Sequence, residues 1–288
     1  MTAFGEGKQK KRTNKKFIMI TLRFDPLQIF KESKTPVGLH ARANWLGQAD
    51  SGSWQNDRSQ TVASLIDSLA PDGPWRQSFM ETIRLLHSLW LAAPDKAVSA
   101  GQPLDWLMQN VLTHHLPEAL DEELPPDAFR LLPFVKTNDP LTLVCATLFL
   151  ASVYGRVGEE VVLDHYQLIA RWLDDHEDEE REDFAADKSN ILRALCVHPA
   201  YAGEAASIKL VAWLAQSQKE SGLWPKPIPF FVTLNTLSRL NSETAHRLWL
   251  RAIPLLETTQ RKDGTWGLHD HEWNTFLVVE ALKNKKCL

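Results

Sequence analysis

The phrase Gln-x-x-x-Gly-x-Trp occurs three times in this chain, and a phrase that recurs in a recurring context marks a repeated structural unit. The copies run from Gln48 to Trp54, from Gln218 to Trp224 and from Gln260 to Trp266, and each is followed by a Thr that opens an apolar run: Thr61, Thr233 and Thr275. Gly222 and Gly264 are 42 residues apart, and Gly52 lies 170 residues before Gly222, close to four such steps. Equal steps back from Gly222 land on polar breaks ahead of apolar runs. These are the acidic stretch 174–187, Thr137-Asn138-Asp139-Pro140, and the residues just before Ser99-Ala100-Gly101-Gln102-Pro103. The chain therefore reads as six units, three of which keep the phrase.

A unit of this length holds two helices and two connections. The text between the phrases has helical spacing. Ala206, Leu210, Trp213 and Leu214 recur at three- and four-residue steps, as do Trp273, Phe276, Val279 and Leu282. The pattern predicts a helix after each phrase slot, at 59–69, 103–113, 140–153, 187–197, 229–240 and 272–284. Partner helices are expected at 77–92, 125–134, 158–173, 203–218 and 243–259, with the sixth partner inside 26–46. The expected fold is all-α, an (α/α)6 toroid or barrel of six helix pairs with an inner and an outer ring. In that geometry the glycine turns the chain with positive φ. The tryptophan buries a large surface and needs a partner for its N–H. The glutamine bonds backbone left unpaired at the next helix start. A variant, Asp72-Gly73-Pro74-Trp75, sits 21 residues after Gly52 and reads as a similar turn out of register with the others.

The repeat runs nearly end to end, so residues 19–288 form one domain, preceded by a disordered basic tail at 1–18 or by a start at Met19. Lys8, Lys10, Lys11, Arg12, Lys15 and Lys16 crowd that tail, which offers a peripheral contact with anionic lipid. The net charge of −4 speaks against nucleic-acid binding over the rest of the chain. Three cysteines without metal-ligand spacing point to a reducing, cytoplasmic setting.

Gln-x-x-x-Gly-x-Trp at helix-pair spacing resembles the QW motif of the terpenoid cyclase and protein prenyltransferase superfamily, most clearly of squalene–hopene-cyclase-like proteins. The resemblance implies an α/α toroid with a central apolar cavity for an isoprenoid. The family's own acids and metal ligands are not matched. The four residues before Thr275 are His271-Glu272-Trp273-Asn274, where a class II cyclase carries Asp-x-Asp-Asp. Asn274 stands where the zinc prenyltransferases have His, and Cys196 and His198, one residue apart, fall on different helix faces. Asp174-Asp175-His176-Glu177-Asp178 does match the Asp-Asp-x-x-Asp of class I terpene synthases. That resemblance implies Mg2+ held by Asp174, Asp175 and Asp178, which would act as the catalytic centre by helping a diphosphate leave. The same run reads equally as a solvated acidic loop.

Phe230 and Phe231, behind a proline-rich approach from Trp224, and Trp273 and Asn274 at the start of the last helix are the expected substrate-binding residues. Asp270 and Glu272 read as a helix N-cap with an acidic first turn. The functions these readings allow are a cyclase or synthase acting on a prenyl diphosphate, and a non-catalytic toroid that binds an isoprenoid, a lipid or a protein partner.

Overall fold

A computed structural model describes residues 20–70, 75, 78–113, 116, 127–135, 140–176 and 184–288. The basic tail, with its lipid contact, lies outside them. Among the described residues there are eleven α-helices and no strand. None of these helices is long and apolar enough to cross a membrane.

The helices are α1 (Pro36–Asn44), α2 (Gly52–Ser68), α3 (Phe79–Ala92), α4 (Gly101–Val111), α5 (Leu141–Val153), α6 (Glu160–Asp175), α7 (Phe184–Leu195), α8 (Ala205–Ser217), α9 (Phe230–Arg239), α10 (Glu243–Thr259) and α11 (His271–Asn284). Hydroxyl caps set several starts. Thr35 accepts from the Gly38 amide with Pro36 opening the first turn, and Ser51, Ser78 and Ser242 cap α2, α3 and α10. The predicted helix at 125–134 is not there: residues 127–134 form turns and bends.

Odd- and even-numbered helices differ in burial. Every residue of α5 from Leu141 to Ser152 is buried, and α11 buries residues on all sides from Trp273 to Leu282. In contrast α2 buries only Asp57 and Val62 of its 17 residues. Each odd helix touches the next odd helix in the series, and α11 touches α1. Helices α2, α4 and α6 each lie against the two odd helices that flank them, α8 lies on α7 and α10, and α10 on α9.

Two copies of the phrase make the same corner. Gly222 and Gly264 have φ of +86° and +85°, and each sits hard against a backbone carbonyl, of Arg251 and of Asp25. Trp224 donates its indole N–H to Leu214 O at 3.0 Å, and Trp266 donates to Leu256 O at 2.9 Å, each onto the last turn of the even helix just ended. The glutamines do not reach the next helix start as expected. Gln218 Nε2 donates to Gly222 O and Leu248 O, and Gln260 Nε2 donates to Gly264 O and Phe24 O. Gln260 Oε1 also accepts from the amides of Arg23 and Phe24. The Gln260 bonds satisfy backbone groups of Arg23 and Phe24, so the last copy fastens residues 23–24 onto the end of α10.

The first copy departs from this pattern. Gly52 is the first residue of α2, has ordinary φ and nothing near its missing Cβ. Ser51 caps the helix there, so Trp54 lies within α2, partly exposed, and donates to Leu39 O. This phrase joins an odd helix to an even one, whereas the other two join even to odd. The turn that does join α2 to α3 contains Trp75, fully buried and bonded to Ala70 O at 2.7 Å. The register read from spacing is therefore reversed in the N-terminal third. Trp75 holds the slot of Trp224 and Trp266, and the near-fourfold interval from Gly52 is a coincidence. The odd series includes α1 and α3 in place of the predicted 59–69 and 103–113.

Candidate functional site

The expected magnesium ligands lie at the exposed C-terminal end of α6. Asp174 and Asp175 are both exposed, and Asp178 lies outside the described residues. Asp174 Oδ1 takes Lys209 Nζ at 2.7 Å. Neighbouring positions on a helix point about 100° apart, so Asp174 and Asp175 do not present two carboxylates to one hard cation, which wants several oxygens. Among the described residues no group of three or more His, Cys, Asp or Glu side chains is placed to hold a metal. Asp178, the third expected ligand, lies outside those residues.

The polar chemistry lies where the odd helices meet. Arg193 on α7 donates from Nη1 to Asn235 Oδ1 on α9 at 2.7 Å, and its guanidinium lies 5.1 Å from the Phe149 ring centre on α5. Asn235 donates from Nδ2 to Glu280 Oε2 at 2.7 Å and to Leu277 O at 3.0 Å on α11. Arg239 donates from Nη2 to Glu280 Oε1 at 2.7 Å. One carboxylate thus serves two guanidinium groups, one directly and one through an amide. The two arginines titrate differently for that reason. Burial drops Arg193, which bonds the neutral Asn235 rather than the Glu280 carboxylate, to about 10. Burial also acts to lower Arg239, but its direct contact with Glu280 outweighs this and raises it. Burial pushes Glu280 up, yet Arg239, Arg193 and Asn235 together hold it below its ordinary value. His40 on α1 faces the same group, and burial lowers it. Two cations thus share one carboxylate, and the Nε atoms of Arg193 and Arg239 are buried without a hydrogen-bond partner, so the hydrogen bonds to Glu280 and Asn235 are what make this burial tolerable.

Next to this network, where α1 and α11 begin, lies a cavity of about 290 Å3 walled by Val37, Leu91, Leu131 and Trp273 and bearing His87, Glu272 and Asp270. Trp273, expected to bind substrate, does line it. Phe231 packs beside Trp273 in the same apolar cluster, whereas Phe230 stacks at an angle on Trp224, 5.9 Å away. Asn274 points elsewhere and donates to His269 O at 2.7 Å, closing the loop around Gly267. Asp270 occupies the N-cap position of α11 but makes no capping bond. Its carboxylate instead takes Arg130 Nε and Nη2 at 2.9 and 2.6 Å.

His87 was not foreseen from sequence, and Glu272 was read there only as part of a helix cap. His87 is buried among the rings of Trp90, Phe149 and Trp273, and burial, aided by Arg193, drops it to about 3. The ring is therefore neutral, with one N–H and one acceptor nitrogen. Glu272 Oε1 is fully buried with no hydrogen-bond partner. A Cβ on Gly38 would stand 3.1 Å from that oxygen, so the glycine gives the carboxylate its room. Leu131 and Asp270 both have positive φ, +62° and +48°, two of the three non-glycine residues so placed among those described. Backbone strain of this kind concentrates at functional sites. Comparison with protein families, with curated proteins and with solved structures finds no match to this chain.

Proposed function

We propose that this chain is a non-catalytic ligand-binding protein built as an α/α toroid, with the odd helices as its inner ring and the even helices outside. The succession of contacts from α1 through α11 and back to α1 supports the ring. One observation carries the functional reading: where α7, α9 and α11 meet, Arg193, Asn235, Glu280 and Arg239 are bonded to one another, so that junction is charged rather than the apolar lining an isoprenoid would need. The cavity at the start of α1 and α11 is open, just under the ~300–1,000 Å3 usual for ligand sites.

A cyclase acting on a prenyl diphosphate draws less support. Its candidate acids Asp174 and Asp175 sit on an exposed helix end, and Asp174 is already matched by Lys209. Purified protein incubated with magnesium and geranyl, farnesyl or geranylgeranyl diphosphate is expected to give no hydrocarbon or alcohol by gas chromatography. Product formation that disappears in Asp174→Asn would overturn the reading.

A further inference from the structure

The cavity beside the network has a chemical preference. Its walls are largely apolar, yet two polar side chains line it without a hydrogen bond from any described residue. One is Glu272, whose Oε1 is wholly buried. The other is His87, only 4% exposed. A buried oxygen left in this state calls for an explanation, of which a missing ligand is one. Arg130 does not relieve Glu272, because both of its described bonds go to Asp270.

The helix ends here must be weighed first, since helix N-termini attract anions. Both are already occupied. At α1, Pro36 has no N–H and Thr35 covers the Gly38 amide. Glu272 itself sits in the first turn of α11, with Oε1 over Gly38. The positive ends of two helices favour a carboxylate at this point, and Glu272 already supplies one. What Glu272 lacks is a donor.

We propose that the cavity binds a small primary ammonium ligand, its –NH3+ donating to Glu272 and to the unprotonated nitrogen of His87 while its apolar body lies against Trp273, Val37 and Leu91. An ammonium supplies three donors and no acceptor. That matches a carboxylate and a neutral imidazole better than any neutral hydroxyl does. The Trp273 face adds attraction for the charge. Ser88, also on the wall, offers a hydroxyl acceptor for the third donor. The proposal rests on the reading of the chain as a binding protein and names the ligand class of that site.

The test is isothermal titration of the full chain at neutral pH with benzylamine, benzyl alcohol and benzoate, which share one ring and differ in the head group. Saturable binding of benzylamine is expected by about 10 mM, at least about tenfold tighter than the alcohol, with benzoate silent. The near-isosteric Glu272→Gln weakens benzylamine by about tenfold or more and leaves the alcohol unchanged. Benzoate binding as well as the amine, amine no better than alcohol, or no saturation overturns the proposal. The probe series decides the matter even if Glu272→Gln fails to fold. Turnover of prenyl diphosphates would instead fail the binding-protein reading, a separate result.

Discussion

Replacing the three phrase glycines by alanine one at a time should split them into two classes, although the sequence writes them alike. At Gly264 a Cβ would meet Asp25 O at 2.2 Å, and at Gly222 it would meet Arg251 O at 2.3 Å. Both contacts are with backbone, which cannot swing aside. A left-handed backbone carrying a Cβ costs about 1–2 kcal/mol, and forcing an extra carbon into a packed place typically costs about 1–3 kcal/mol more. Alanine returns about 0.4–1 kcal/mol by restricting the unfolded chain. The net loss is therefore about 2–4 kcal/mol for Gly264→Ala and for Gly222→Ala. That is a large share of the ~5–15 kcal/mol that holds a domain together. Gly52 opens a helix with open space around it. There alanine is neutral or gains up to about 0.5–1 kcal/mol. Urea unfolding followed by far-ultraviolet circular dichroism reads all three directly, since the midpoint shifts at constant slope. If Gly52→Ala loses as much as Gly264→Ala, or if Gly264→Ala stays within about 0.5 kcal/mol of the parent, the distinction between the two kinds of corner is wrong.

The central network makes a second prediction. Glu280→Gln leaves two buried guanidinium groups without their carboxylate and should cost about 3–5 kcal/mol at neutral pH. Glu280 is held below its ordinary value in the fold. Its contribution is therefore complete above the unfolded carboxylate range and fades as pH falls through the folded value. The gap between parent and variant in urea should narrow from about pH 4 downward; a gap constant with pH would show that the charge is not what matters. For Gln260→Ala, the amides of Arg23 and Phe24 lose their acceptor, so trypsin should cut after Arg23 at least about tenfold faster under native conditions. Gln48→Ala, whose described bonds go to Arg42 and Lys31, should leave that cleavage rate unchanged.

The helices were largely legible because their apolar residues repeat at three and four. α5, buried from Leu141 to Ser152, is apolar but for Thr142, Thr147 and Ser152, and α8 through α11 fall within a residue or two of the predicted spans. The register was not legible because Gln48–Trp54 has the right letters in the wrong slot. Ser51 can cap a helix, and a capped helix absorbs Gly52 and Trp54 where a bare glycine would have turned the chain. Nor did charge type reveal the centre. Arg193 and Glu280 read singly as surface residues, since charged side chains are seldom buried unless paired. The repeat itself held the missing signal: Arg193 and Asn235 bond across 42 residues, as do Asn235 and Leu277. Polar groups one repeat apart on neighbouring odd-numbered helices stand side by side. His87 and Glu272 carry no such mark, and only three-dimensional packing shows that their nitrogen and oxygen lack partners.

The position of Glu280 on α11 has a consequence for synthesis. Of the eleven helices it belongs to the one translated last, while the two arginines it neutralises emerge well before it. Until α11 docks, Arg193 and Arg239 are therefore without their carboxylate, so the packing of α11 against α9 is the step that completes this part of the interior.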